Sequence, residues 1–396
     1  MLVIRSDHDV AEDSIRSQAE ASVREARRRH RRRVERRRLL GVVVLAAAVV
    51  LAVLIASSER SPSAGAAAAA GVLPNGSLAT LHLAGPLAVA PDGVLYLADD
   101  PNHAWPWDDD RVIVRLPGGR FRVVAGTGKG GFSGDGGPAV RAELSSVSDL
   151  AFAADGTLFI ADGGRVRAVS RDGMIRTIAG DGRPSQGVAS GTPALAAGLG
   201  SGRPVLHIAL SPGGHLYIAT GSQILRLTAA ATLDVVRAAI TSGRDRGLGL
   251  GGGPIAVDAQ GNIDVGGGPS GWGVWQVTPN GIAHLASGAM YAHGNGGAPP
   301  ILRPGPGDAI YTAAGSLGIF RVALDKLVPI AAYNGPLSRP LHGQGLPLPL
   351  YFAFSSNGTL YADDEPYAVY DAHQQLWSIS NGAVSLVWQA TNRNPN

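Results

Sequence analysis

The sequence predicts an all-β protein: a six-bladed β-propeller preceded by a single N-terminal transmembrane helix. The first observation is the stretch Ser148–Gly182, where four short apolar runs are separated by Asp-Gly and Arg-Asp-Gly turns. Short runs with β-branched and aromatic residues, joined by such turns, are typical of antiparallel strands. The second observation is that this pattern recurs along the chain. The third is an uncharged apolar segment of 18 residues near the N-terminus.

The composition suits a large β domain with many turns. The chain has 396 residues, of which 45% are hydrophobic, 55 are glycine and 26 are proline. It has no cysteine, which excludes disulfides, thiolate metal sites and a cysteine nucleophile. Residues 1–38 contain 12 Arg and 7 acidic residues, a net +5, which leaves −2 of the total +3 for the remainder. Because nucleic-acid binding needs a basic folded surface, we predict no nucleic-acid partner.

The N-terminal region reads as a membrane anchor. Residues 1–38 are polar and basic, and Leu39–Ala56 follows with 18 uncharged residues, just long enough to cross a hydrocarbon core of about 30 Å. Only Arg60 lies close on the far side, so the positive-inside rule predicts residues 1–38 in the cytoplasm and the propeller outside. A cleaved signal peptide is the alternative, with small residues at Ala66–Ala70. Residues 57–71 are predicted to be a flexible linker.

Residues 72–396 are predicted to form the propeller. Alignment on the glycine of the first turn gives six units, with spacings of 63, 58, 47, 46 and 51 residues. Four-stranded units at a period of roughly 40–50 residues predict a β-propeller. Two segments compete to close the ring as an outer strand, the one after Asn75-Gly76 and Ala383–Ala390. The aligned glycines are Gly93, Gly156, Gly214, Gly261, Gly307 and Gly358.

Two stretches resemble a known family. Ala125–Leu144 reads AGTGKGGFSGDGGPAVRAEL, and together with Ala154–Gly182 it resembles the NHL-repeat propellers of bacterial exported proteins. Ala179–Leu199 carries a decayed copy of the first stretch, while the later units lack the Asn-x-Arg pattern of the family. The resemblance implies six blades and an extracytoplasmic role in binding a ligand or a protein. With the anchor, it predicts a single-pass protein of the bacterial cell membrane.

One face of the predicted propeller carries the long connections. With the strands of a blade called a to d from the inside, the a–b and c–d turns are short, whereas insertions fall between b and c and between blades. We call the face with these insertions the loop face, and function in such scaffolds sits on loops held by a rigid frame. The Gly-rich loop Gly126–Gly137 lacks the Lys-Ser or Lys-Thr of a phosphate-binding loop and is interpreted as structural.

Aromatic and acidic residues are concentrated in the b–c insertions of units 1 and 6, which are neighbours in a closed ring. Aromatic rings beside carboxylates suit a protein, a peptide or a cell-wall glycan. The alternatives are that the two Trp anchor their loop to the blade and that the three Asp form a solvated acidic loop rather than a Ca²⁺ site. The predicted binding residues here are Trp105, Trp107, Asp108, Asp109, Asp110, Tyr367 and Tyr370.

The starts of the inner strands are the other candidate site, because they line the central channel. Asp149 and His207 are added to the predicted binding residues from this set. They also support an alternative function, a metal-assisted hydrolase or lyase, although such a site needs about three protein ligands. A passive structural propeller is a third hypothesis. We predict no catalytic residue, metal ligand or cofactor. The aligned starts are Pro86, Asp149, His207, Pro254, Pro300 and Tyr351.

Overall fold

Tight turns at Asp-Gly and related pairs fold the chain into successive antiparallel sheets. In blade 2, Asp155 Oδ1 accepts a hydrogen bond from the Thr157 amide at 2.9 Å. Gly156, which lies between them, has a φ of 85°, as does Gly93 in blade 1. Glycine adopts this left-handed conformation without the steric cost that a Cβ would impose. The Asp-Gly pairs from which the sequence predicted antiparallel strands therefore form the tight turns between those strands.

In the computed structural model, Ala70–Asn396 is one compact unit that contains all the strands described below. The predicted membrane segment, Leu39–Ala56, lies outside the described residues, and among those that are described no helix is long and apolar enough to cross a membrane. The structure describes residues 81, 85–99, 111–200, 206–220, 222–236, 239–240, 253–266, 274–278, 282–287, 301–313, 319–323, 326–329, 351–364, 375–380 and 383–389.

Six sheets form the blades of a propeller, as predicted, and within each blade four strands are hydrogen-bonded in chain order. Blade 1 contains β1 (Leu87–Val89), β2 (Leu95–Asp99), β3 (Arg111–Arg115) and β4 (Phe121–Ala125). Blade 2 contains β5 (Val147–Phe152), β6 (Leu158–Asp162), β7 (Arg165–Val169) and β8 (Ile175–Ala179). Blade 3 contains β9 (Thr192–Pro193), which pairs on its outer edge, and β10 (His207–Leu210), β11 (Leu216–Ala219), β12 (Ile224–Leu227) and β13 (Thr232–Val235).

The second half of the ring follows the same plan. Blade 4 contains β14 (Ala239–Ile240), again on the outer edge, and β15 (Ile255–Val257), β16 (Ile263–Gly266), β17 (Val274–Val277) and β18 (Ile282–Ser287). Blade 5 contains β19 (Leu302–Gly305), β20 (Ala309–Ala313), β21 (Ile319–Ala323) and β22 (Lys326–Pro329). Blade 6 contains β23 (Phe352–Phe354), β24 (Leu360–Asp364), β25 (Gln375–Ser380) and β26 (Ala383–Gln389).

Buried apolar clusters at the junctions between blades hold the ring closed. Each of the six junctions has one, and the cluster between blades 6 and 1 includes Ala353, Leu376, Leu87 and Phe121. Leu81, which is 2% exposed, packs into the same cluster. The outer strand of blade 6 is β26, at the C-terminal end of the chain. Burial of apolar surface on both faces of every blade is the main stabilising term of this architecture.

A repeated pair on the two inner strands shows how the blades interlock. In blades 1, 2, 3 and 6 an alanine on the inner strand lies opposite an aromatic residue on the second strand. The small residue makes room and the ring packs towards the following blade, as where Tyr96 contacts Phe152 at 4.7 Å between ring centroids. Blade 4 replaces the ring by Asp264, opposite Ala256, and blade 5 replaces the alanine by Arg303, opposite Tyr311.

The register of blade 5 corrects the alignment of the inner strands. The pairing of Arg303 with Tyr311 places Ile301, and not Pro300, at the position that Asp149 and His207 occupy. The cause is the turn, in which Gly307 has a φ of 70° but lies one residue earlier than the turn glycine of the other blades. A shift of one residue moves every side chain of a strand to the opposite face, so the alignment on glycine hid Arg303.

The Gly-rich loop between blades 1 and 2 docks on the outer edge of blade 2, in agreement with its structural interpretation. The Gly136 amide donates to the Ile175 carbonyl at 2.8 Å, and the Ala139 amide donates to the Gly173 carbonyl at 2.8 Å. From within the blade, the buried Arg167 donates to the Ser133 carbonyl at 2.9 Å. These bonds satisfy an edge strand that would otherwise present unpaired backbone groups.

The decayed copy of this loop repeats the arrangement on blade 3. The Gly191 amide donates to the Leu233 carbonyl at 2.9 Å, and the Ala194 amide donates to the Ala231 carbonyl at 2.8 Å. On blade 4, β14 pairs in parallel with β18. Three consecutive connections between blades thus cover the outer edge of the blade that they lead into.

We expect Gly134→Ala to destabilise the propeller far more than Gly136→Ala. Both glycines lie in the docked loop with φ values of 88° and 80°, so both variants carry the left-handed backbone cost of about 1–2 kcal/mol. A Cβ at Gly134 would lie 2.7 Å from the Ala142 Cα, whereas one at Gly136 would meet nothing within 4 Å. Denaturant titration of residues 70–396 measures both free energies of unfolding, and equal losses would contradict the docked loop.

Candidate functional site

The predicted binding residues divide into two groups. Trp105, Trp107, Asp108, Asp109, Asp110, Tyr367 and Tyr370 lie outside the described residues, so their role stays a prediction. The strands that carry them are described: the first insertion joins Asp99 to Arg111, and the second joins Asp364 to Gln375. Because blades 1 and 6 are adjacent, the ends of the two insertions lie on neighbouring blades. Asp99 is buried and forms an ion pair with Arg111 across the base of the first insertion.

Asp149 is a fully buried carboxylate near the start of the inner strand of blade 2. Oδ1 accepts hydrogen bonds from the Leu150 amide at 2.9 Å and from Arg303 Nη2 at 2.7 Å. Oδ2 accepts one from the Ile208 amide at 3.1 Å and lies 3.5 Å from His207 Nδ1. The structure therefore places Asp149 and His207 next to each other, and a third residue, Arg303, completes the cluster.

Arg303 is the member that sequence reasoning missed. It belongs to blade 5, whereas its partner Asp149 belongs to blade 2, and these blades are opposite each other in a ring of six. The guanidinium therefore reaches across the central channel, at the height of the five aligned alanines. Arg303 lies on the inner strand, opposite the aromatic residue of the second strand. A comparison of this inner-strand position would have revealed it, because the other five blades have alanine there.

Burial and charge act in opposite directions on the Asp149 carboxyl. Desolvation is the largest influence and raises its pKa, but Arg303, His207 and the Ile208 amide together lower the pKa below the ordinary value. Asp149 is therefore ionised, and its charge is balanced by the Arg303 guanidinium. The ion pair fixes the orientation of the acid and of both neighbours.

These three residues do not fit a metal site. Both oxygens of Asp149 already accept hydrogen bonds, and one of the donors is the Arg303 cation, which would repel a metal ion. Within the part of the chain that the structure describes, no group of three or more His, Cys, Asp or Glu is placed to hold a metal. The metal-assisted hydrolase or lyase would need such a group, so nothing in the described site favours this alternative.

Two polar atoms of the cluster have no partner among the described residues. They are His207 Nε2 and Arg303 Nε, and both are buried. The side chains of His207 and Arg303 are 10% and 11% exposed. Buried donors and acceptors are nearly always paired, so these two atoms are exceptions to the usual pairing of polar groups in a protein interior.

Asp264 is the second charged residue that stands where the repeat has an uncharged one. It is 1% exposed, and its Oδ1 accepts a long hydrogen bond from Gln276 at 3.4 Å, while Oδ2 has no partner among the described residues. Burial raises the pKa of Asp264 to about 7, and the nearby Asp258 carboxylate contributes to the rise. Asp264 thus titrates near neutral pH, at the position where the five other blades place an aromatic ring.

Comparison with known proteins shows which family a part of the chain resembles. The Teneurin NHL domain profile matches residues 120–199, from the last strand of blade 1 to the loop that precedes blade 3. The six blades show a β-propeller, and the match shows that residues 120–199 of it are similar to an NHL domain. Human Teneurin-4 is 38% identical over 103 residues, which cover 22% of this chain and 3% of the relative. Drosophila melanogaster Teneurin-m is 31% identical over 102 residues, which cover 24% and 4%.

This chain thus corresponds to a small fraction of the length of the curated relatives that it matches. Solved structures cover more of it at lower similarity. A gluconolactonase from Xanthomonas campestris covers 76% of this chain and 85% of its own, with 12% identity and a TM-score of 0.47. A streptogramin B lyase covers 78% and 82%, with 13% identity and a TM-score of 0.43. Similarities this weak carry no argument about activity.

We expect Asp149→Asn to lower stability at neutral pH and to lose this effect in acid. The folded pKa of Asp149 is lowered, so the wild-type carboxylate contributes stability above the unfolded pKa, and the contribution is lost as pH falls through the folded pKa. Because the variant leaves the buried Arg303 without its counter-charge, the loss near pH 7 should be roughly 3 kcal/mol. Denaturant titration between pH 3 and pH 8 measures it.

The exposed Asp155→Asn is the matched control for this change, because it also removes a carboxylate from blade 2. It should change stability much less at every pH. A loss for Asp149→Asn that persists unchanged at low pH would contradict an ionised, charge-paired Asp149.

We expect Asp264→Asn to stabilise the propeller increasingly as pH rises from about 4 to about 7. The folded pKa of Asp264 is about 7 against an ordinary value of 3.8, so the folded state holds its proton more tightly and wild-type stability falls as pH rises across this window. The variant has no proton to lose, and its advantage above pH 7 should be on the order of a few kcal/mol. Thermal melting of both proteins at several pH values tests this, and parallel pH profiles would contradict it.

Proposed function

We propose that this chain is a membrane-anchored, extracytoplasmic propeller that binds a protein, a peptide or a cell-wall glycan on its loop face. The observation that carries the proposal is the position of the two long insertions. Residues 100–110 and 365–374 each join the second and third strands of their blade, and blades 1 and 6 are in contact. Two loops that are far apart in sequence therefore emerge side by side from one rigid junction.

The two faces of the ring differ in the connections that they carry. On the opposite face, the turns between the first and second strands are short, such as Ala90–Val94 and Ala153–Thr157, and each is closed by backbone hydrogen bonds. The connections of the loop face are longer, and they include the docked loops before blades 2 and 3. Binding residues are disproportionately found on loops that a rigid scaffold positions.

The chemistry of the insertions supports a binding role. Trp105, Trp107, Tyr367 and Tyr370 supply large, flat apolar surfaces with polar tips, which is the composition of binding hot spots. Asp108, Asp109 and Asp110 add negative charge beside the rings, suited to basic or hydroxyl groups. The ion pair of Asp99 with Arg111 holds the base of the first insertion and limits the ordering cost of binding.

The proposed location rests on the sequence of the N-terminal region. The uncharged segment Leu39–Ala56 would anchor the chain in the bacterial cell membrane, with residues 1–38 in the cytoplasm. Residues 57–71 would then hold the propeller away from the membrane surface outside the cell.

We expect the double variant Trp107→Ala, Tyr370→Ala to weaken binding of the isolated propeller, residues 70–396, to cell envelopes. If each ring is a hot spot worth roughly 2 kcal/mol, binding should fall at least tenfold. The measurement is saturation binding of the fluorescently labelled propeller to envelopes of the producing organism, prepared from cells that lack the protein.

The control is His215→Ala. His215 is exposed and lies at the turn between the first and second strands of blade 3, on the face without insertions. Unchanged binding of the double variant, or an equal loss in the control, would show that the loop face has been wrongly chosen.

A further inference from the structure

Phe132 is an exposed aromatic residue on the docked loop between blades 1 and 2. It is 44% exposed. The guanidinium carbon of Arg165 lies 3.8 Å from the centroid of the Phe132 ring, and that of Arg167 lies 4.9 Å from it. Arg165 is the first residue of β7 and directly follows the turn between the second and third strands, so the ring lies on the loop face. Cation–π contacts with two arginines thus hold in place a ring that is still open to solvent.

The docked loop of blade 3 shows that docking does not require this ring. Gly136 of the first loop and Gly191 of the second donate equivalent amide hydrogen bonds to the outer strands of blades 2 and 3. Counted back from these two glycines, Gly187 is the equivalent of Phe132. The second loop therefore docks by the same backbone hydrogen bonds with a glycine in place of the ring. A role in recognition accounts for an exposed aromatic residue at a position where docking needs none.

An exposed cation lies on one side of Phe132. The Lys129 ammonium is 3.3 Å from the Glu143 carboxylate, and the two side chains are 79% and 30% exposed. Glu143 lies against Gly131, the residue before Phe132, since a Cβ at Gly131 would be 2.8 Å from Glu143 Oε2. Lys129 therefore brings positive charge to this side of the ring, and it extends further into solvent than its carboxylate partner.

A second exposed cation lies beyond Arg165. Arg165 Nη2 donates a hydrogen bond to the Asp181 carbonyl at 2.7 Å, and the Asp181 carboxylate forms an ion pair with Arg183. The side chains of Arg183 and Asp181 are 77% and 16% exposed, so again the cation extends further into solvent. We call Lys129, Phe132, Arg165 and Arg183 the Phe132 patch. A partner that approaches the ring of this patch meets positive charge on both sides.

We propose that the Phe132 patch binds an acidic segment of a partner protein, with an apolar side chain against the Phe132 ring and carboxylates beside Lys129 and Arg183. This inference rests on the proposed function, because it takes the loop face as the binding face, and it selects a protein from the three kinds of partner. A polypeptide carries apolar and carboxylate side chains close together, which complements an aromatic ring between two cations. The cations steer the acidic segment to the patch, and the ring supplies the apolar contact.

The test is fluorescence anisotropy of labelled peptides with the full chain. The acidic probe is Gly-Glu-Glu-Phe-Glu-Glu-Gly, and two comparison probes replace either every Glu by Lys or the Phe by Ser. We expect the acidic probe to bind about tenfold more tightly than either comparison probe. Its affinity should fall as the salt concentration rises, because exposed charges are screened.

Two variants of the chain test the patch itself. Phe132→Leu keeps an apolar cover over the two arginines but removes the flat ring, and the double variant Lys129→Gln, Arg183→Gln removes both exposed cations. Each should weaken binding of the acidic probe roughly tenfold. The double variant should also reduce the salt dependence of binding.

The matched controls are Leu386→Ala and the double variant Arg120→Gln, Arg171→Gln. Leu386 is 46% exposed on the outer strand of blade 6. Arg120 and Arg171 are exposed at turns between third and fourth strands, on the face without insertions. Both controls should bind the acidic probe like the wild type, and the melting temperature of every variant shows whether it is folded.

The inference is overturned if the acidic probe does not bind, if a comparison probe binds as tightly, if folded patch variants bind normally, or if the controls lose binding equally. It is also overturned if trigalacturonic acid or a thymidine oligonucleotide competes more strongly than the unlabelled acidic probe, because the partner would then be an anionic glycan or a nucleic acid. If the inference fails while envelope binding still depends on Trp107 and Tyr370, the proposed function stands, whereas loss of that dependence would overturn the proposed function itself.

Discussion

The buried carboxylate of Asp149 is the interaction on which the centre of the propeller depends. It accepts hydrogen bonds from its own blade, from the backbone of blade 3 and from the guanidinium of blade 5. An unpaired charge at this buried position would strongly destabilise the fold, so the Asp149 carboxylate needs these hydrogen-bond donors. The same bonds that offset its desolvation also fix Arg303 and His207 at the channel mouth. The interactions that stabilise the centre of the ring therefore also set the geometry of the candidate site.

The regularity of the blades makes their two exceptions informative. Ala-aromatic pairs on the inner strands provide a packing solution that four blades share, and it would serve blades 4 and 5 equally well. These blades instead carry the buried Asp264 and the Arg303 side chain, which is 11% exposed, and each has a polar atom without a partner among the described residues. Departures from local packing rules are expected where function requires them. Arg303 has a partner across the channel, whereas Asp264 has only a weak one, so Arg303 is the better candidate for a functional role.

The six repeated blades could be predicted from the sequence, but the charged residues that interrupt the repeat in blades 4 and 5 were not. Glycine turns have a direct physical cause in positive φ, so the six blades, their order and the contact of blades 1 and 6 could be predicted from spacing. Asp149 and His207 were found because both stand at aligned strand starts. Arg303 was hidden because the glycine of its turn lies one residue early, and a single-residue shift reverses the face of a strand. Asp264 follows its turn glycine by three residues, as the aromatic residues of blades 1, 2, 3 and 6 follow theirs, so the glycine alignment could have revealed this exception.

The similarity to teneurins concerns the frame of this propeller rather than its ligand. The matched residues 120–199 contain blade 2 and the two docked loops that cover the outer edges of blades 2 and 3. Their glycines and their backbone hydrogen bonds to the edge strands have a structural explanation that requires no ligand. His207, Arg303 and both aromatic insertions lie outside that segment, whereas Asp149 and the Phe132 patch lie within it. A shared frame can thus carry different recognition surfaces, and the recognition chemistry of this chain has to be established from its own side chains.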